Sequence, residues 1–391
     1  MSSRTPSLSL PEPPKELAAL SERLCNRITA EIESAGSIPF DRYMNLALYE
    51  PGLGYYVNGL HKFGASGDFV TAPEQGGLFA RAVARQCTEV AESLGSDWTL
   101  MELGAGSGVL ARDLLLALPV PPAEYLILEP SAPLREIQRE TLDALPETLR
   151  DRVRWLDTPP QPPLDGVIIA NEVLDALPVA RFGRVDGRFV EHCVGLGEQR
   201  FNWQESVPGR RLQAALEQLA QALPEPLPDG YVSEICVDLP DWLETISAPL
   251  RRGLILMIDY GYPRAEFYHP DRSGGTLVCH YRHRAHFDPF VWPGLTDLSA
   301  FVDFTAVAEA ANSLGLEIAG FTSQAGFLLG LGIHDAVEQA RDDEQRLKLA
   351  GELKRLTLPG EMGEKFKVIG LTRNFDERLS GFDLMSQLHR L

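Results

Sequence analysis

Thr99-Leu100-Met101-Glu102-Leu103-Gly104-Ala105-Gly106-Ser107-Gly108-Val109 is the stretch on which the fold of this chain turns. Thr99 to Leu103 is short, apolar and strand-like, and Val109 to Leu118 carries the spacing of a helix. Between them lie three glycines at alternate positions. Each glycine costs backbone entropy on folding, so their repetition implies a close approach that a side chain would block. Strand, glycine turn and helix in this order form the entry to a nucleotide- or nucleoside-binding α/β domain.

Working outward, the same alternation recurs. Tyr125–Leu128, Val153–Leu156, Asp165–Ala170, Leu254–Ile258, Leu316–Thr322 and Lys365–Thr372 read as further short apolar strands. Helical patterns cover about 134–145, 211–223 and 304–314, with two more before the glycine turn at about 16–37 and 76–94. The pattern predicts an α/β protein with a doubly wound, mostly parallel sheet of seven strands covered on both faces. Residues 1–15 read as a disordered tail and 16–97 as a helical, cofactor-covering region. The core runs over 98–261 and resumes over 299–391. Insertions fall at about 179–205 (two or three antiparallel strands, with Asp186-Gly187 and Gly195 as turn points), 262–298 (aromatic-rich) and 333–356 (helical, charged).

The glycine register selects among ligands. A dinucleotide fingerprint, Gly-x-Gly-x-x-Gly, needs its third glycine at 109, where Val109 stands, and no Gly-Lys-Ser or Gly-Lys-Thr is present for a phosphate loop. Glu102 would be awkward beside a pyrophosphate and suits a cationic or amine-bearing ligand. S-adenosylmethionine carries a sulfonium and an α-amino group and no phosphate. Glu129, 25 residues after Gly104, can accept both ribose hydroxyls, a feature that NAD shares. Asp157, after the third strand, is placed either to accept from an adenine amine or simply to solvate a loop.

Asn171-Glu172-Val173-Leu174-Asp175 follows the fourth strand, where a doubly wound sheet lines its ligand crevice. Asn171 is a candidate for cofactor or acceptor binding. Glu172 can hold a guanidinium through a bidentate pair, and Asp175 suits a helix cap. Methyl transfer from a sulfonium needs alignment more than acid–base chemistry. Glu172 is therefore the first candidate catalytic carboxylate, followed by Asp259 and Glu74.

The net charge of −19 argues against a broad nucleic-acid face. No apolar run is long enough to span a membrane. The five scattered cysteines suggest a reducing compartment, and the Ser- and Pro-rich start has no leader pattern, so a cytoplasmic protein is expected. His280, His283 and His286 lie beside Cys279, but interleaved arginines and the lack of a second paired motif argue against zinc.

Several motifs, in order along nearly the whole chain, resemble the MidA family. They are Tyr43-Met44, Leu48-Tyr49-x-Pro51-x-x-Gly54-Tyr55-Tyr56, Gly67-Asp68-Phe69-x-Thr71-Ala72-Pro73-Glu74, the Glu102 glycine loop, Asn171-Glu172-x-Leu174-Asp175-Ala176-Leu177-Pro178, Asp259-Tyr260-Gly261, Asp303-Phe304, Gln324-x-x-Phe327-Leu328 and Met362-Gly363-x-x-Phe366-Lys367-Val368. That family is a branch of the class I S-adenosylmethionine-dependent methyltransferases, and its mitochondrial member is an arginine methyltransferase that assists assembly of respiratory complex I. The resemblance implies the class I sheet and S-adenosylmethionine as cofactor. It implies that Gly67, Asp68, Thr71 and Pro73 belong to a segment closing over the cofactor. It also implies cofactor contacts at Glu102, Gly104, Glu129 and Asn171, to which the glycine loop adds Ala105, Gly106 and Gly108 as cofactor-binding candidates. A protein arginine becomes the expected acceptor, with a respiratory-complex subunit as one candidate and a homodimer as a candidate assembly. One departure stands out: the family pattern usually has serine where this chain has Gly76, which should loosen that turn and removes a hydroxyl. Competing readings are an NAD-dependent oxidoreductase, disfavoured by the glycine register, a methyltransferase of small molecules with the 262–298 aromatics walling an acceptor channel, and a non-catalytic assembly protein that docks through Tyr281–Phe290 and Trp292.

Overall fold

The computed structural model describes residues 10–60, 71–161, 163–198 and 200–391. They fall into two compact units. One holds Val70–Asp175, Asp238–His269 and Phe301–Leu391, and the other holds the described parts of Met1–Phe69, Ala176–Val237 and Pro270–Ala300.

The first unit contains the main sheet. Its strands are β1 (Thr99–Leu103), β2 (Glu124–Leu128), β3 (Val153–Leu156), β4 (Leu164–Asn171), β5 (Leu250–Tyr262), β6 (Glu317–Ser323) and β7 (Phe366–Arg373). The spatial order is β3-β2-β1-β4-β5-β7-β6, with the short Val302–Asp303 strand pairing beside the end of β5. Strands β1 to β5 pair in parallel, and β7 runs antiparallel to both β5 and β6. All seven predicted strands are present. The strand order reverses between β1 and β4, which is where such sheets open a crevice at their carboxyl ends.

Burial explains why the central strands read as unbroken apolar runs. Val167 to Ala170 and Leu254 to Ile258 are fully buried, because helices cover both faces of a parallel sheet. Covering helices include α1 (Gly77–Leu94), α2 (Val109–Ala117), α3 (Ala132–Leu142), α4 (Leu239–Ser247), α5 (Phe304–Ser313), α6 (Gln324–Gly330) and α7 (Asp343–Thr357). Helix α4 escapes the sequence pattern because Leu239-Pro240 reads as a breaker, whereas proline is tolerated in the first turn, where its missing N–H has no partner to lose. The charged 333–356 stretch resolves into a short turn of helix, Asp335–Glu338, and α7, whose start is capped by the Asp342 carboxylate accepting from the Gln345 N–H at 2.8 Å.

The second unit contains a five-stranded antiparallel sheet. Ala180–Val185, Arg188–Gly197 and Arg200–Ser206 form its meander, as the 179–205 pattern predicts. Gly195 is not a turn: it lies inside its strand opposite Asn202, where a Cβ would meet the Gln204 side chain at 2.1 Å. Val232–Ile235 adds a strand that is too short to declare itself in the sequence. Some of the insertion aromatics pack within this unit. Phe290 packs on Tyr43 and Trp203 with centroids 5.4 and 5.0 Å apart, and Tyr281 on Trp292 at 4.9 Å. Phe287, by contrast, is 80% exposed. Among the described residues, no helix is long and apolar enough to cross a membrane.

At the amino end of the main sheet, Thr99, Gly166 and Gly253 lie side by side in register. A Cβ on Gly166 would sit 1.8 Å from the Thr99 carbonyl oxygen, and one on Gly253 would sit 1.9 Å from the Gly166 oxygen. Gly166→Ala must therefore push β1 and β4 apart. We expect it to destabilise the protein by about 3 kcal/mol or more, read as a lowered midpoint in urea unfolding.

Candidate active site

The glycine loop leaves β1 at the carboxyl edge of the sheet. Gly104, Gly106 and Gly108 have φ of 59°, 52° and 81°, all in the left-handed region that favours glycine. The Gly104 N–H donates to the Leu128 carbonyl at 3.1 Å, and the Gly108 N–H to the Ala105 carbonyl at 2.8 Å. A Cβ on Gly108 would press to 3.1 Å from the Gln138 Cα, so helix α3 backs directly onto the turn.

Gln138 holds that contact, and the sequence reading did not find it. Fully buried, its Nε2 donates to the Gly106 carbonyl at 3.1 Å and to Glu129 Oε2 at 3.2 Å, and its Oε1 accepts from Trp155 Nε1 at 2.9 Å. One step along α3, the Thr141 hydroxyl donates to the Ser107 carbonyl at 2.7 Å. The available signal was a polar residue on the apolar stripe Leu134, Gln138, Leu142.

Glu129 follows β2 and is buried. Its Oε1 accepts from the Ser131 N–H at 2.9 Å, and burial raises its carboxyl above the usual range despite these donors. Glu102, near the end of β1, is 3% exposed and accepts from the Tyr125 hydroxyl at 2.5 Å. Burial pushes its carboxyl up to about 7, with the Glu129 charge adding and the Tyr125 bond opposing. Asp157 lies outside this buried set, its side chain 80% exposed and paired with Arg135 Nη2 at 2.6 Å.

The turn after β4 is held from β5. Asp259 is fully buried, and its Oδ2 accepts from the backbone N–H groups of Val173, Leu174 and Asp175 at 3.1, 2.8 and 3.2 Å, while Oδ1 accepts from the Tyr260 N–H at 2.8 Å. Burial and then the Glu172 charge push its carboxyl up, against the pull of these donors. Asp259 thus grips backbone and positions the turn. Asp175 caps no helix, because a turn and not a helix follows it. Glu172 sits at φ 53°, a strained value for a non-glycine residue, and its N–H donates to the Ile258 carbonyl at 2.9 Å. Glu172 Oε1 accepts from Asn171 Nδ2 at 3.2 Å and from the Ala72 N–H at 3.4 Å. Asn171 Oδ1 is buried with no hydrogen-bond partner among the described residues.

Thr71, Pro73 and Glu74 belong to the segment entering α1. Glu74 accepts a short hydrogen bond from the Ser107 hydroxyl of the glycine loop. Gly67 and Asp68 lie outside the described residues. The structure therefore brings together the glycine loop, Glu74, Asn171 and Glu172 through direct hydrogen bonds or adjacency. Among the described residues, no group of three or more His, Cys, Asp or Glu side chains could hold a metal ion.

Residues 82–322 match a family described as "Putative S-adenosyl-L-methionine-dependent methyltransferase". The chain is 29% identical to the Drosophila melanogaster protein arginine methyltransferase NDUFAF7 homolog, mitochondrial, over 92% of this chain and 89% of that protein. It is 26% identical to the Danio rerio protein arginine methyltransferase NDUFAF7, mitochondrial, over 90% and 87%. A Burkholderia thailandensis protein solved bound to S-adenosyl-homocysteine superposes with a TM-score of 0.92 at 42% identity, covering 98% of this chain and 100% of that one. The expectation of a cytoplasmic protein is overturned by these relatives, since those from fly, fish, frog, worm and cattle all carry mitochondrial names. Composition was a poor guide to compartment because addresses are read by receptors and leave little mark on a folded domain.

Glu102 provides a test of the site's electrostatics. Its carboxyl rises from 4.5 to about 7 on folding, so its favourable contribution is complete below pH 4.5 and is lost as pH climbs through 7. Glu102→Gln removes this proton linkage. In urea unfolding from pH 4 to 8, the variant should gain on the parent as pH rises, by up to about 3 kcal/mol at pH 8. Parallel stability curves would refute the buried, raised carboxyl.

Proposed function

The chain belongs to this family of S-adenosyl-L-methionine-dependent methyltransferases, and from that premise we propose that its methyl acceptor is a protein arginine side chain. The observation that carries the proposal is the Glu172 carboxylate, presented from a turn that Asp259 holds by three backbone N–H groups. The names of the relatives that match about nine-tenths of the chain support the same acceptor.

The residues present fit the cofactor. Gly104 is exposed and Gly106 partly so, which leaves their backbone open to close approach while Gly108 packs on Gln138, and the buried Asn171 Oδ1, without a partner among the described residues, offers an acceptor to an amine. In this reading Gly104, Ala105, Gly106 and Gly108 cradle the cofactor. Glu129 accepts from the ribose hydroxyls, Asn171 and Glu102 serve the amino-acid end, and Asp157 lies near the adenine. Thr71, Pro73 and Glu74 cover the site. S-adenosyl-L-methionine supplies a methyl group on an already activated sulfonium. The protein's task is then to aim a nitrogen lone pair. Glu172 accepts two N–H groups of the guanidinium and fixes its plane. Its anionic charge balances the acceptor's positive charge, and the methylated nitrogen gives up its extra proton to solvent. A respiratory-complex subunit is the first protein substrate to examine.

Two measurements test this. Incubation with methyl-labelled cofactor and extract of the source cells should place label on arginine of a protein. Glu172→Gln should lower incorporation by about a hundredfold while leaving S-adenosylhomocysteine affinity nearly unchanged. Label on a small molecule or on lysine would overturn the arginine acceptor. Gly106→Val places a β-branched residue at φ 52° and should abolish S-adenosylhomocysteine binding in calorimetry without unfolding the protein.

A further inference from the structure

Helix α1 begins without a cap of its own. Its N-cap residue is Gly76, and its first turn holds no acidic side chain. Helix starts ordinarily use serine, threonine, aspartate or asparagine here to accept the first free N–H groups. In this protein Glu352, from the middle of α7 and 274 residues further along the chain, accepts from the Leu78 N–H at 2.5 Å. Gly76 has φ 144°, and a Cβ there would lie 2.3 Å from Glu352 Oε2 and 2.7 Å from Oε1. The glycine and the glutamate thus occupy one space between them. Glu352 is 2% exposed, and the charges of Arg355, Arg81 and Lys348 lie around it. The Arg355 guanidinium adds a second hold by donating to the Gln75 carbonyl at 3.4 Å.

We infer that Glu352 is a positioning residue for residues 71–76, which meet the glycine loop, delivering from α7 the cap that sets the start of α1 and hence the segment bearing Glu74. The inference rests on the methyltransferase reading. The contacts run without a gap. Glu352 fixes Gly76 and Leu78. Two residues before Gly76, Glu74 accepts from Ser107 of the glycine loop. The Ala72 N–H donates to Glu172. A negative side chain at a helix N-terminus is also favoured by the helix dipole, more so when it is buried. The far end of α7 is anchored in turn, since Gln324 Nε2 donates to the Leu356 carbonyl at 2.9 Å.

The test is a double-mutant cycle on Glu352 and Gly76, read by S-adenosylhomocysteine affinity in calorimetry alongside thermal melting. Glu352→Ala should weaken affinity about fivefold or more, the ordinary worth of a cap. Glu352→Gln, which keeps an acceptor oxygen, should stay within about twofold of the parent. Gly76→Ser should weaken binding in both backgrounds, because φ 144° strains any side chain, but by several-fold less in the Glu352→Ala background, where the clash with the carboxylate is gone. If Glu352→Ala does not fold, Glu352→Asp, which withdraws the carboxylate by one methylene, replaces it, and a reduced cost of Gly76→Ser there supports the steric pairing while an undiminished cost overturns it. Unchanged affinity in folded Glu352→Ala, or an equal cost of Gly76→Ser whether or not the Glu352 side chain is present, would overturn the inference. Absence of binding in the parent would instead overturn the methyltransferase reading itself.

Discussion

The Asp259 carboxylate is buried at the end of β5 and accepts four backbone N–H groups, three of them from the chain that leaves β4. A carboxylate taken out of water is costly unless hydrogen bonds replace its hydration, and here the backbone supplies them. The exchange works in both directions. The turn after β4 makes no regular ladder, so its N–H groups also need an acceptor away from solvent. Satisfying both at one point locks two adjacent parallel strands at their carboxyl ends. Glu172 sits at positive φ within this lock, a strained conformation that persists because the surrounding bonds determine it.

The glycine loop is held by the same logic from another direction. Beyond the Gly104 N–H, which donates to Leu128 of β2, its backbone leaves the strand ladder, and two of its carbonyls are collected by side chains of α3: Gly106 by Gln138 and Ser107 by Thr141. Gln138 joins the loop to Glu129 and Trp155 as well, so one buried amide sets the spacing of three elements. The loop's outer side meets Glu74. A site built this way is rigid where the backbone must admit a ligand, because the holding groups come from helices that pack on the sheet.

Much of this was legible in the sequence. The apolar runs at 99–103, 125–128, 153–156, 165–170, 254–258, 316–322 and 365–372 correspond to the seven strands, and the central ones are the most apolar because helices cover both their faces. The glycines at 104, 106 and 108 announced a backbone that only glycine adopts readily. Residues that act through distant partners were not legible. Gln138 looked like a flaw in an amphipathic stripe, Gly195 like a turn, and Glu352 like one more charge on a charged helix. The backbone grip of Asp259 was not legible either, because type and position along a strand do not reveal what a carboxylate touches.

Periodicity and local chemistry therefore determined the sheet, its covering helices, the glycine turn and the class of ligand, because each rests on neighbours within a few residues. The tertiary structure alone decided which buried polar groups face one another. Gly76 shows the difference most directly. Read along the chain, it is a missing hydroxyl at a helix start. In the fold, its missing Cβ is the space that the Glu352 carboxylate fills, and no pattern near either residue connects them. The physical reason is that a cap is a requirement on space and hydrogen bonding, and any part of the chain that the fold brings there can meet it.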